Sequence, residues 1–198
     1  MIYFIWEVNK TNIYLIKLYR YLVVNKIKLK NIKKIFIKKG FVKVKIFKKS
    51  EFKNIIFQAS KLIKSKMEEQ KILVPKNWKT DDILNKGLIK LDKKNHKKIV
   101  EIYNQLPRTT HIYKIISDNR IQKIIQSLLN VGNGSNFFTD NISIRMDPPK
   151  VKKYLYGYHK DRISSIPNSS FIQLWSPILN DITQNIGALK IIEGSHVY

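Results

Sequence analysis

Cysteine is absent from the 198 residues, arginine occurs only five times, and 14 acidic side chains face 38 basic ones. Without cysteine there is no disulfide framework and no thiolate-ligated zinc or iron–sulfur site. The shortage of arginine removes the guanidinium fork that usually reads base edges and clamps phosphates. Glycine is also sparse, and its seven copies form neither a P-loop nor a dinucleotide fingerprint. The apolar N-terminus, Met1 to Val24, is interrupted by Glu7, Lys10, Lys17 and Arg20, so no uncharged run approaches the ~18 residues of a membrane helix. It also lacks a basic leader region followed by a small-residue cleavage site. The expectation is a cytoplasmic chain with no signal peptide and no membrane span.

What is abundant is lysine (33), isoleucine (33) and asparagine (17). These three rise together when a coding sequence is AT-rich, so composition alone does not establish a basic function. At 43% hydrophobic and 11% aromatic, the chain can bury a core despite its net charge of +24. The charge is uneven. Residues 1–100 hold 27 basic and 7 acidic side chains, whereas 101–198 hold 11 and 7. Residues 1–49 therefore read as a basic N-terminal extension and 50–198 as the domain that carries chemistry.

Hydrophobic spacing sketches the elements. Asn12–Val24 is loosely helical, and Phe41–Phe47 alternates like a strand after a turn at Gly40. Ser50 is placed to cap a helix whose inward face is Phe52, Ile55, Ile56, Ala59, Leu62 and Ile63. Thr80 and Asp92 are further cap candidates, the second before a helix carrying Ile99, Val100, Tyr103 and Leu106 that ends ahead of Pro107. Asp118 opens a helix with Ile121, Ile124, Ile125, Leu128 and Leu129 inward, closed by Gly132-Asn-Gly134. Beyond it the period drops to 2. Phe137–Met146, Tyr154–Lys160, Phe171–Ser176 and Ala188–Ile192 read as strands between turns marked by Pro148-Pro149, Pro167-Asn168 and Gly187. The predicted class is α+β, helices over 50–131 and then antiparallel strands over 137–198.

The stretch with most chemical content is Tyr154-Leu-Tyr-Gly-Tyr-His-Lys-Asp161. On a strand, Leu155, Gly157, His159 and Asp161 share one face and Tyr154, Tyr156 and Tyr158 the other. An imidazole and a carboxylate side by side can take adjacent positions on one metal ion, as in a 2-His-1-carboxylate site on Fe(II). Downstream stand Phe171-Ile-Gln-Leu-Trp-Ser-Pro177 and then Asn180-Asp-Ile-Thr-Gln-Asn-Ile-Gly-Ala-Leu-Lys-Ile-Ile-Glu-Gly-Ser-His196.

In that order these motifs resemble the phytanoyl-CoA dioxygenase family: a His-x-Asp, a tryptophan-bearing strand, an Asn-x-Gly-Ala-Leu turn and a Gly-Ser-His ending. The resemblance covers roughly residues 137–198. It implies a double-stranded β-helix, a cupin-like jelly roll, and a non-haem Fe(II), 2-oxoglutarate-dependent oxygenase. Such an enzyme couples decarboxylation of 2-oxoglutarate by O2 to hydroxylation of a small organic substrate. His159 and Asp161 correspond to iron ligands. Trp175 matches the aromatic flanking the co-substrate, Gln173 shares its strand face, and either Arg145 or Met146 would face the pocket from the preceding strand. Retention of Asp161 favours hydroxylation over halogenation. In the family the Gly-Ser-His histidine closes a turn, so His196 is not expected to bind metal, and His96 and His111 are expected to be incidental.

The distal histidine and the 2-oxoglutarate-binding arginine of the family lie beyond Gly-Ser-His and have no counterpart in residues 1–198. The resemblance thus implies an N-terminal part of an oxygenase with an incomplete jelly roll, binding iron weakly and not turning over by itself. Two rival readings remain open. One is a catalytically inactive fragment. The other is a basic nucleic-acid or anionic-surface binding module, motivated by the charge of residues 26–49 but lacking interleaved aromatics or any known motif. A specific nucleic-acid partner is not expected, and the N-terminal charge would equally suit an anionic substrate.

Overall fold

A computed structural model describes residues 2–6 (backbone only), 29–132, 142–146, 157–159, 172–180, 182–183 and 188–197. Contacts divide the chain into two units interleaved along the sequence, one of residues 1–48, 118–137 and 158–198, the other of 49–117 and 138–157.

In the first unit, strand β1 (Ile2–Trp6) pairs antiparallel with β2 (Phe41–Val44) on one side and β3 (Ile172–Trp175) on the other. Helix α1 (Leu29–Lys39) precedes β2 and packs on it and on α7 (Asn119–Leu129). Ile32 and Phe36, one turn apart, are the buried residues of α1, and Val42 and Val44 those of β2. Gly40 makes the reversal between them at φ +77, its amide donating to Phe36 O at 2.8 Å. Only glycine takes that left-handed conformation without strain. The α7 helix follows its periodicity closely. Ile121, Ile124, Ile125 and Leu128 are buried, and Asp118 caps it by accepting from Arg120 N–H at 2.8 Å. Its end differs from the expected glycine turn: Asn130, at φ +58, takes the left-handed position. Asparagine tolerates αL better than other side-chain-bearing residues.

The second unit is helical. A 3₁₀ turn at Lys49–Phe52 leads into α2 (Lys53–Glu69), with Phe52, Ile55, Ala59, Ile63 and Met67 buried along one face. Ser50 lies inside the 3₁₀ turn and does not cap α2; Phe52 occupies that position without a side-chain bond. A continuous helical run follows through α3 (Thr80–Asp82), a π-helical turn (Ile83–Gly87) and α4 (Leu88–Lys94). Thr80 starts it as the first helical residue, while Asp82 accepts from Lys79 N–H at 3.1 Å. Asp92 lies within α4, and the cap of α5 (His96–Gln105) is Asn95, which accepts from Lys97 N–H at 3.1 Å. After α5, Leu106–Arg108 tightens to 3₁₀ around Pro107, and α6 (Thr110–Ile116) completes the unit's helices. Its core is Ile63, Met67, Leu88, Leu91, Ile99 and Ile102, with Trp78, Tyr103 and Met146 packed against it.

The expected jelly roll is overturned. The described residues are predominantly helical and their strands are three, of four or five residues each, far short of the two four-stranded sheets of that fold. Among the described residues of the four expected C-terminal strands, only Ile172–Trp175 pairs. Residues 142–146, 157–159 and 188–192 carry no ladder among the described residues. The reason is visible at two of them. Met146 N–H and C=O bond to the Tyr103 hydroxyl at 3.4 and 2.8 Å, and Ala188 N–H donates to Thr183 O at 3.2 Å. Backbone groups that alternation would assign to a neighbouring strand are satisfied by a side chain and by a local turn instead. The helix expected over Asn12–Val24 lies outside the described residues.

Candidate functional site

Of the expected ligand pair, His159 is described and exposed, following the exposed Tyr158; Asp161 lies outside the described residues. A Cβ added at Gly157 would meet nothing within 4 Å among the described residues. An imidazole and a carboxylate are a donor set suited in kind to ferrous iron. Among the described residues, no group of three or more His, Asp or Glu side chains is disposed to hold a metal ion.

Gln173 and Trp175 both sit on β3, two residues apart and thus on one face, as their spacing predicts. They pair in register with Ile5 and Tyr3 of β1, and both are half-buried. Pairing with β1 is a connection no local pattern announces, because Trp6 and Ile172 lie 166 positions apart.

Arg145 and Met146 belong to the other unit. From Ile142 to Met146 exposure alternates, with Ile142, Ile144 and Met146 half-buried and Ser143 and Arg145 exposed. The alternation of an extended segment survives although no ladder forms. Met146 is the member that turns inward, against the Ile63–Met67–Leu91 core, and the Tyr103 hydroxyl holds its peptide from both sides. Arg145 projects outward. Tyr103, which the sequence marks only as an apolar helix position, is thus the residue that sets this segment's register.

His196 is 2% exposed. Its Nε2–H donates to Ile37 O at 2.9 Å, Gly194 N–H donates to Lys39 O at 2.9 Å, and Lys39 pairs with Glu193 at 3.1 Å. The Gly194-Ser195-His196 turn therefore closes the C-terminal end of α1, where carbonyls lack intrahelical donors. The fit is reciprocal: a Cβ at Gly40 would overlap His196 Nδ1 and lie 2.7 Å from Cγ. This role agrees with a turn-closing histidine, but its partner, the α1–β2 junction, is not legible from the C-terminal motif.

The other histidines are placed apart. His96 Nδ1 lies 2.6 Å from Asp92 Oδ1 one turn earlier, and His111 is half-buried on α6. On α7, Arg120 spans several groups, its Nε donating to Asp118 at 2.8 Å, its Nη1 donating to Ile46 O at 3.2 Å, and its guanidinium lying 4.4 Å from the Phe47 ring centroid. The Arg120 side chain, aided by its own amide, holds the Asp118 carboxyl below the usual carboxylate range. No described helix is long and apolar enough to cross a membrane. Comparison with protein-family models, with curated proteins and with solved structures gives no match.

Proposed function

We propose that the chain carries the first two iron ligands of a non-haem Fe(II), 2-oxoglutarate-dependent oxygenase that hydroxylates a small organic substrate. The observation that carries this reading is the ordered run of His159-x-Asp161, Trp175, Asn185-Ile-Gly187-Ala-Leu189 and Gly194-Ser-His196 over 38 residues. It rests on the motifs and their order, and on no particular barrel.

In this reading His159 and Asp161 hold iron through one imidazole nitrogen and one carboxylate oxygen. The bound metal supplies O2 activation coupled to 2-oxoglutarate decarboxylation. The chain's own residues bind and orient. Trp175 offers an apolar wall and Gln173, on the same strand face, an amide that can hydrogen-bond a carboxylate. The exposure of His159 to solvent supports the reading.

Anaerobic Fe(II) titration of the chain tests it. Binding weaker than that of a complete three-ligand site is expected, and His159→Ala or Asp161→Ala should each reduce it at least tenfold, while His111→Ala leaves it unchanged. Equal affinity in all three variants would overturn the assignment.

A further inference from the structure

The segment from Leu29 to Lys48 contains eight lysines and no acidic residue. Within it, α1 sorts its side chains sharply. Ile32 and Phe36 are buried on the face packed against α7 and β2, and Lys30, Lys34 and Lys38 are exposed on the opposite face. Spaced by four residues, the three ammonium groups form a row with roughly 6 Å of helix between neighbours. Among the described residues no ion pair or hydrogen bond engages any of the three. Their neighbours are committed elsewhere, Lys33 to Asn130 at 2.9 Å and Lys39 to Glu193 at 3.1 Å. In the helical unit, by contrast, Lys66 and Lys98 are locked between Glu69 and Glu101.

We infer that the Lys30–Lys34–Lys38 row of α1 is a binding surface for the phosphate backbone of duplex nucleic acid, independent of base sequence. Lysine binds phosphate as a point charge, and the row lacks both the arginine fork that reads base edges and the aromatics on which unpaired bases stack. A lipid surface is disfavoured because an interfacial helix must bury a broad apolar face in the bilayer, whereas Ile32 and Phe36 of α1 are buried against protein and the large apolar residues it exposes are Leu29 and Ile37. The inference is independent of the iron site.

The test uses the full chain and a mixed-sequence DNA duplex of about 20 base pairs, with affinity measured across salt concentration. Each phosphate neutralised contributes about 0.9 to the slope of log K against log salt. The Lys30→Gln/Lys34→Gln/Lys38→Gln variant should therefore lower the slope by about 2.7. That share alone is a loss of about 40-fold between 50 and 200 mM salt. A charge-matched control, Lys93→Gln/Lys94→Gln/Lys97→Gln, removes three exposed lysines from the α4–α5 junction and should leave the slope nearly unchanged. Equal losses in the two variants would mean binding follows net charge alone and would overturn the site. So would absence of binding at 50 mM salt, or an α1 variant that loses affinity for phosphatidylserine vesicles but not for DNA.

Discussion

Gly40 is under two constraints at once. Its φ of +77 is costly for any residue with a Cβ, and the space a Cβ would occupy is taken by the His196 ring. Left-handed backbone alone costs a non-glycine residue roughly 1–3 kcal/mol, and the overlap adds to it. Gly40→Ala is expected to destabilise the chain by at least about 2 kcal/mol in urea unfolding. A change below about 0.5 kcal/mol would mean that the α1–β2 junction and the Gly-Ser-His turn do not lock together as described. Tyr103→Phe is a second residue-scale test. It removes one oxygen and leaves the Met146 peptide without its partner, which should cost about 1 kcal/mol and raise amide exchange at 144–146. Unaltered exchange there would show that core packing alone holds the segment.

Elements differ in how far the sequence discloses them. The α2 and α7 helices are legible because a 3.6-residue stripe needs only its own spacing and a core to face, and both bury most of the residues that the spacing selects, with Ile56, Leu62 and Leu129 half-buried. Helix ends are less legible. Asp92 and Asn95 are both good caps within one turn, and Asn95 is the one with its side chain on the Lys97 amide. The C-terminal alternation is the instructive failure. A period of two describes a two-faced extended segment without naming its hydrogen-bond partner, and at 142–146 the partner is a tyrosine on α5. For the candidate site, the shared face of Gln173 and Trp175 follows from spacing alone, whereas the clasp of His196 on α1 joins residues 159 positions apart.

Between α2 and α5, Lys66 bonds Glu69 at 2.7 Å and Glu101 at 2.9 Å, and Lys98 bonds the same two at 3.0 and 2.8 Å. Hydrogen bonds from Lys66 and then Lys98 hold Glu69 below the ordinary carboxylate range, and bonds from Lys98 and then Lys66 do the same for Glu101. A carboxylate depressed in the folded state contributes stability that is complete above its unfolded value and lost as pH falls through the folded one. Both lysines are raised, chiefly by the bonds they donate to these glutamates, so their contribution is full below the ordinary lysine value and lost as pH rises through the folded one. Urea midpoints should fall on acidification from neutrality to pH 3. A Glu69→Gln/Glu101→Gln variant should show a shallower fall, and an identical acid limb would remove this cluster from the account.

At the scale of the whole molecule, net charge and candidate chemistry separate. Residues 29–48 hold a run of lysines without a counter-acid, while the His159–Gly194 region that carries the motifs is close to balanced. The two units are also interleaved: the first contact boundary lies between Lys48 and Lys49, beside the sequence division, but contacts return to the first unit at Asp118 and at Tyr158. Composition reports the average of both. The chemical claim is narrower and depends on one imidazole out of four. The most direct measurement follows the ring resonances of His96, His111, His159 and His196 by NMR during anaerobic titration with Fe(II). The account predicts that His159 broadens first and selectively, with the buried His196 and the Asp92-bonded His96 unaffected at the same metal ratio. Selective broadening of His96 or His196, or no selective broadening at all, would contradict it.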